Sequence, residues 1–215
     1  MQKDNIGILV VISGASGAGK DSVMDRFLKD PQIQQLNLKR IVTCADRPPR
    51  PGETDGVQYH FVSHEKLQEL SDKGELVEPI MQTGSSGKAT PKSEIARLLN
   101  GENLVWRIEP NRAADVATGS FYKKLFPEDA ENFQKHTIVL SIVAPLVEVE
   151  ARRKSRDLDK YDPVEYAIRD NQEKPDLEIL AKHAIQIQNL DGKLDEAVGL
   201  AVKNVTELND KINNK

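Results

Sequence analysis

Gly14-Ala15-Ser16-Gly17-Ala18-Gly19-Lys20-Asp21-Ser22 decides how this chain is read. Ahead of it runs Ile6-Gly7-Ile8-Leu9-Val10-Val11-Ile12, short and apolar enough for a buried strand. Behind it, Val23, Met24, Phe27 and Leu28 share one face of a helix. Strand, glycine-rich turn and helix together form the setting of a phosphate-binding loop. The glycines let backbone N–H groups converge without Cβ clashes. The helix N-terminus adds its unpaired donors and the positive end of its dipole. Lys20 reaches outer phosphates as a mobile point charge. A plain glycine turn is the alternative, and the two flanking elements weigh against it. Gly14, Gly19 and Lys20 fit G-x-x-x-x-G-K-[ST], but Asp21 fills the last slot and Ser22 follows it. Two ways of holding magnesium stay open: the Ser22 hydroxyl from the next position, or Asp21 through water.

The chain has 215 residues, enough for one domain with small insertions and a substantial core. A net charge of −4 without any long basic run argues against a general nucleic-acid-binding surface. The single cysteine, Cys44, has no partner for an internal disulfide and suits a reducing compartment. It reads as a small buried residue rather than a nucleophile. No apolar run approaches membrane-spanning length, and Lys3 beside Asp4 does not make a secretory leader. The expectation is a cytoplasmic protein with neither membrane nor nucleic-acid partners.

Further along, Lys39–Cys44 reads as a second strand. Asp46–Gly56, with three prolines, two glycines and the arginines Arg47 and Arg50, reads as an anion-binding loop. Val57–Val62 alternates like a half-exposed strand. Ser63 caps a helix over Glu65–Lys73 that stops at Gly74. Glu75–Met81 reads as a strand with Pro79 marking an edge or bulge, and Thr83–Thr90 as a mobile loop. Pro91 opens a helix running to Leu99. Leu104–Ile108 is a strand, and a short helix near Glu128–Phe133 lies inside the stretch 119–136. Thr137–Val143 is the clearest buried strand. Helices follow at Leu146–Arg156 and from Asp162-Pro163, the latter interrupted by Pro175. Ala184–Gln188 is a last strand before Asn189, and Leu194–Leu208 a closing helix. Alternating strands and helices give an α/β fold with a parallel central sheet flanked by helices.

The stretch Arg47-Pro-Pro-Arg-Pro-Gly-Glu-Thr-Asp-Gly-Val-Gln-Tyr-His-Phe-Val-Ser63 resembles the guanylate kinases, and the resemblance extends from the phosphate loop to the final helix. It implies a P-loop kinase with a core (about 1–42, 92–148 and 180–215), an inserted nucleoside-monophosphate-binding domain (about 43–91) and a helical lid (about 149–179). It implies ATP with Mg²⁺ as donor, GMP as acceptor, direct phosphoryl transfer, and a monomer or homodimer. Residues 14–22 would hold ATP, with Asn189 on the adenine side. Arg47, Arg50 and Tyr59 would hold the acceptor phosphate, a task that guanidinium forks suit, with Glu53 among the residues of the same substrate site. Thr43, Glu78 and Thr90 would read the base. Lys20, Arg152, Arg156 and Arg169 would surround the transferring group, and Glu109 falls near the magnesium.

The sequence departs from the family in several places. The family's Tyr-Gly-Thr/Ser element reads Ser86-Gly87-Lys88-Ala89-Thr90-Pro91, losing a phosphate-binding tyrosine at Ser86. Its Asp-x-Gln-Gly turn reads Glu109-Pro110-Asn111-Arg112. The Gly-Lys-Asp-Ser loop also resembles kinases of ribose 1,5-bisphosphate. That activity, or a catalytically weak binding module, is the alternative.

Overall fold

The computed structural model describes residues 6–83 and 86–213. The chain divides into two compact units. The smaller is built on Lys39–Leu104 and the larger on Ile8–Leu38 with the chain from Val105 onward.

In the larger unit, β1 (Leu9–Ser13) is buried at every residue and turns through the phosphate loop into α1 (Lys20–Phe27). α2 (Pro31–Gln35) follows, its N-terminus capped by the Asp30 carboxylate, which accepts from Gln32 N at 2.9 Å. The smaller unit then supplies β2 (Lys39–Arg40), β3 (Cys44–Ala45) and β4 (His60–Phe61). It continues with α3 (His64–Asp72), β5 (Met81–Thr83), β6 (Ser86–Ala89) and α4 (Lys92–Ala96). A 3₁₀ turn leads from α4 to Gly101, and β7 (Leu104–Arg107) returns the chain to the larger unit. There α5 (Pro110–Thr118), α6 (Ser120–Leu125) and α7 (Ala130–Lys135) precede β8 (Thr137–Val143). α8 (Leu146–Asp157), α9 (Pro163–His183), β9 (Ile185–Gln188) and α10 (Leu194–Asn213) complete it.

The sheet of the larger unit runs β7-β1-β8-β9, with β1 parallel to β8 and β8 parallel to β9. Alternate residues of β1 and β8, among them Val10, Ile12, Leu140 and Ile142, meet α1 and α10 in one core. α10 contributes Ala197, Ala201, Val202 and Val205 at helical spacing. A second cluster, Trp106, Phe121, Tyr122 and Phe133, packs ring on ring around α6 and α7, with Phe121 and Tyr122 edge to face. This is the expected α/β fold with a parallel sheet. The smaller unit holds a separate sheet, β4-β3-β6-β5, packed on Leu67 and Leu76.

Several expectations are corrected. The strand expected over Lys39–Cys44 divides into β2 and β3, because Val42 N donates to the buried Glu94 carboxylate (2.9 Å) instead of to a ladder. Only the end of Val57–Val62 is strand; Gly56 N donates to Tyr59 O, and Val57 lies exposed in that turn. Glu75–Met81 is mostly irregular, with a single bridge from Leu76 to Pro91. The loop expected at Thr83–Thr90 is instead the β5–β6 hairpin, registered Met81↔Lys88 and Thr83↔Ser86; its tip, 84–85, lies outside the described residues, as do Lys3 and Asp4. The stretch 119–136 holds two helices rather than one. Pro175 does not interrupt α9, which continues as one helix packed along α5. Proline in a helix interior removes one donor and costs roughly 3 kcal/mol, which packing along a whole helix face offsets.

Candidate active site

Ser13–Gly19 wraps the start of α1. Gly14 sits at φ +137°, where a Cβ would lie 2.1 Å from the Ile142 carbonyl oxygen. Gly19 sits at φ +90°, where a Cβ would lie 2.2 Å from Asn189 Nδ2. Neither position accepts a side chain. Lys20 is buried, and its Nζ donates to the Gly14 (2.6 Å) and Ala15 (3.0 Å) carbonyls. Burial pulls its pKa below the usual 10.5, while the Glu109 carboxylate pulls the other way.

A cleft of about 460 Å³ opens beside the loop, a size that suits a small polar ligand. Ser16, Gly17, Gly19, Lys20, Asp21 and Ser22 form one wall. Arg107, Glu109, Arg152, Arg156 and Arg169 form the other. The three arginines expected around the transferring group are thus gathered with Lys20, each already held by an acid. Arg152 donates to Glu148 (2.8 Å) and Asp191, and to the Asn189 carbonyl (2.9 Å). Arg156 pairs with Asp157 (2.8 Å) and contacts the Tyr166 hydroxyl. Arg169 pairs with Glu173 (2.7 Å) and with Glu109 (3.0 Å). Glu109 therefore lines this cleft. Asn189 is buried, and its Nδ2 donates to the Ala18 carbonyl (2.8 Å), so its amide fastens the phosphate loop.

Two arginines of this region were missed from the sequence. Arg107 pairs with Asp21 at 2.6 Å. It is the exposed residue ending β7, after buried Leu104, Val105 and Trp106, and the carboxyl end of a strand in an α/β sheet is where ligands bind. That position was its signal. Arg153 stands in sequence among the cations Arg152, Lys154 and Arg156 at the end of α8, where such charges favour a helix C-terminus. It is instead the largest fully buried side chain among the described residues, donating to the Ser16 carbonyl (2.9 Å) and bidentately to Asp170 (2.8 and 2.6 Å). Its guanidinium also lies 4.4 Å over the Tyr166 ring. No local pattern marks it.

Among the described residues, no three acidic or metal-ligating side chains cluster as a metal cage. Mg²⁺ does not need one. It keeps several waters and takes one or two protein oxygens plus phosphate. The Ser22 hydroxyl and the Asp21 and Glu109 carboxylates that line the cleft fit that mode.

In the smaller unit, Arg47 donates both Nη atoms to Glu53 (2.6 and 2.8 Å) and lies 5.4 Å from the Tyr59 and Phe61 rings. Glu53 also accepts from Arg50 N (2.7 Å). These bonds hold the Glu53 carboxyl at about 2, against an ordinary 4.5. The Tyr59 hydroxyl accepts from Lys88 Nζ at 3.1 Å. Nearby, Glu78 Oε1 accepts from Thr90 N (2.7 Å), and the Thr43 and Thr90 hydroxyls lie 3.3 Å apart. Residues 43, 78 and 90, taken from three separate segments, thus form one polar group.

The sheet, the phosphate loop and the arginine-lined cleft define a P-loop kinase fold. The family model described as guanylate kinase matches residues 7–126. A guanylate kinase of Clostridioides difficile is 38% identical over 111 residues, spanning 51% of this chain and 52% of that protein. One of Malacoplasma penetrans is 27% identical over 193 residues, covering 89% and 90% of the two chains. The crystal structure of guanylate kinase from Anaplasma phagocytophilum superposes with a TM-score of 0.55 over 97% of this chain and 87% of that one, at 18% identity, a likeness of fold. The chain belongs to the guanylate kinase family. It spans about half the length of the clostridial relative.

Proposed function

We propose that this chain transfers the γ-phosphoryl group of ATP to GMP, giving ADP and GDP. The larger unit binds ATP, with the loop N–H groups and Lys20 on its phosphates. The smaller unit binds GMP, with Arg47, Arg50 and Tyr59 at the phosphate, Glu53 holding Arg47 beside them, and Thr43, Glu78 and Thr90 at the base. The observation that carries the choice of acceptor is the Thr43–Glu78–Thr90 group. A carboxylate and two hydroxyls gathered there offer acceptors to guanine N1–H and its exocyclic amine, and a sugar bisphosphate has neither.

The acceptor is already an anion, so no strong base is needed. The obstacle is repulsion between two polyanions, which positioning and fixed cations overcome. Lys20, Arg152, Arg156 and Arg169 provide those cations. Their acids, Glu148, Asp157, Glu109 and Glu173, keep them placed while the substrate is absent. Mg²⁺, when bound, neutralises phosphate charge; Ser22, Asp21 and Glu109 would hold it, Asp21 from an outer position because Arg107 already pairs with it. Residues 149–179 act as a lid that excludes water.

We place the enzyme in the cytoplasm as a monomer or homodimer. Its one cysteine is buried, and no helix among the described residues is long and apolar enough to cross a membrane. An ADP-release assay against GMP, dGMP, AMP, UMP, CMP and ribose 1,5-bisphosphate tests the function. GMP and dGMP should turn over fastest. Turnover confined to ribose 1,5-bisphosphate, or no ADP release with any acceptor, would refute the reading.

A further inference from the structure

Lys88 stands out in the smaller unit. The β5–β6 hairpin sets its position. Gly87 N donates to the Asp46 carboxylate, and Asp46 N donates back to the Gly87 carbonyl (3.1 Å). A Cβ on Gly87 would lie 2.7 Å from Ile80 Cγ2 and 3.3 Å from Leu67, and Ala89 belongs to the core with Leu67 and Cys44. Gly87 and Ala89 thus face the packed side. Strand alternation puts Lys88 on the other side, beside Tyr59. Ser86, the position matched to the family's phosphate-binding tyrosine, is buried, its hydroxyl turned to the Gly87 carbonyl (3.5 Å) and the Asp46 carboxylate.

The charges at this patch are unequally matched. Arg47 spends both its Nη groups on Glu53, and Nη1 also donates to the Pro48 carbonyl (2.9 Å). No carboxylate among the described residues lies within ion-pair distance of Lys88 Nζ; its partners are the Tyr59 hydroxyl at 3.1 Å and the Tyr59 ring at 4.7 Å. An ammonium has three donors, and the phenol accepts only one. By accepting from Lys88, the Tyr59 oxygen leaves its own O–H to donate elsewhere. Ammonium and phenol therefore present adjacent donors, with positive charge that no acid among the described residues pairs.

We propose that Lys88 binds the phosphate of the acceptor nucleotide together with Tyr59, adding to that subsite a positive charge that no ion pair neutralises. The proposal rests on the reading of the smaller unit as the GMP-binding unit. Its test measures GMP binding by calorimetry and the KM values for GMP and ATP in the full chain, for wild type, Lys88→Met and Lys88→Arg. Met keeps the stem over the ring and removes the charge. Lys88→Met should weaken GMP binding and raise its KM by about tenfold or more, leaving the KM for ATP within about twofold. Lys88→Arg should recover most of the loss, and the penalty of Lys88→Met should shrink at high salt. Wild-type GMP affinity in Lys88→Met, or equal rises in both KM values, would overturn the proposal and leave Lys88 a packing residue. A wild type that binds no GMP would overturn the reading of the unit itself.

Discussion

Replacing Arg153 with Met tests how the phosphate loop is held. The side chain is 2% exposed and joins three elements: the Ser16 carbonyl of the loop, Asp170 of α9 and its own helix α8. Removing one partner of a buried ion pair costs about 3–5 kcal/mol. Asp170 keeps 35% of its side chain exposed, so water re-solvates it in part and the cost falls toward the lower limit. The Ser16 carbonyl loses a charge-assisted bond worth about 1.5 kcal/mol, which overlaps with the first cost rather than adding to it. The expected loss is about 3 kcal/mol, or roughly 6–12 °C in Tm for a chain of this size. Thermal unfolding of wild type, Arg153→Met, Asp170→Asn and the double variant gives the coupling, expected at about 1–2 kcal/mol. Because the bond ends on the phosphate loop, the KM for ATP should rise more than that for GMP. A Tm within about 2 °C of wild type, or a coupling near zero, would refute the strut.

Other outcomes follow from the same geometry. Arg47→Ala should raise the KM for GMP far more than the KM for ATP; equal effects would remove Arg47 from the acceptor site. Cys44 is buried, and desolvation raises its thiol pKa to about 11, so a disulfide reagent at pH 8 should release no thiol from native protein and one per chain after unfolding. The Glu53 carboxyl sits at about 2 when folded, below its ordinary 4.5. Its contribution is therefore present above about 4.5 and lost as pH falls toward 2. The urea midpoints of wild type and Glu53→Gln should converge over that window, and a gap that persists at pH 2 would contradict the Arg47–Glu53 assignment.

Much of the larger unit was legible in the sequence because its signals are local. The apolar run before Gly14 and the run Thr137–Val143 read as buried strands, and both pair at the centre of the sheet, the first from Leu9 onward. The smaller unit was less legible because its structure depends on residues far apart. Lys39–Cys44 splits between two strands because Glu94, some fifty positions on, takes the Val42 N–H at 2.9 Å. Strand β6 is Ser-Gly-Lys-Ala, residues with little strand preference, so pairing with β3 and β5 forms it. The candidate site divides in the same way. Lys20 and Arg47 stand in motifs that can be read along the chain, whereas the contacts of Arg107, Arg153 and Lys88 are made with partners 86, 137 and 29 positions away. Pro175 misled for the opposite reason: a strong local breaker sits in a helix held by packing.

The central claim is that this chain phosphorylates a guanine nucleotide because Glu78 reads the base. The direct measurement is kcat/KM for GMP and for AMP, in wild type and in Glu78→Gln. Adenine presents a lone pair at N1 and no amine on the neighbouring carbon, so binding it would set the carboxylate against an acceptor. Wild type should prefer GMP by roughly 10⁴ or more, and Glu78→Gln should erase most of that ratio while AMP turnover changes little. A wild type that does not favour GMP, or a ratio that survives the substitution, would contradict the account.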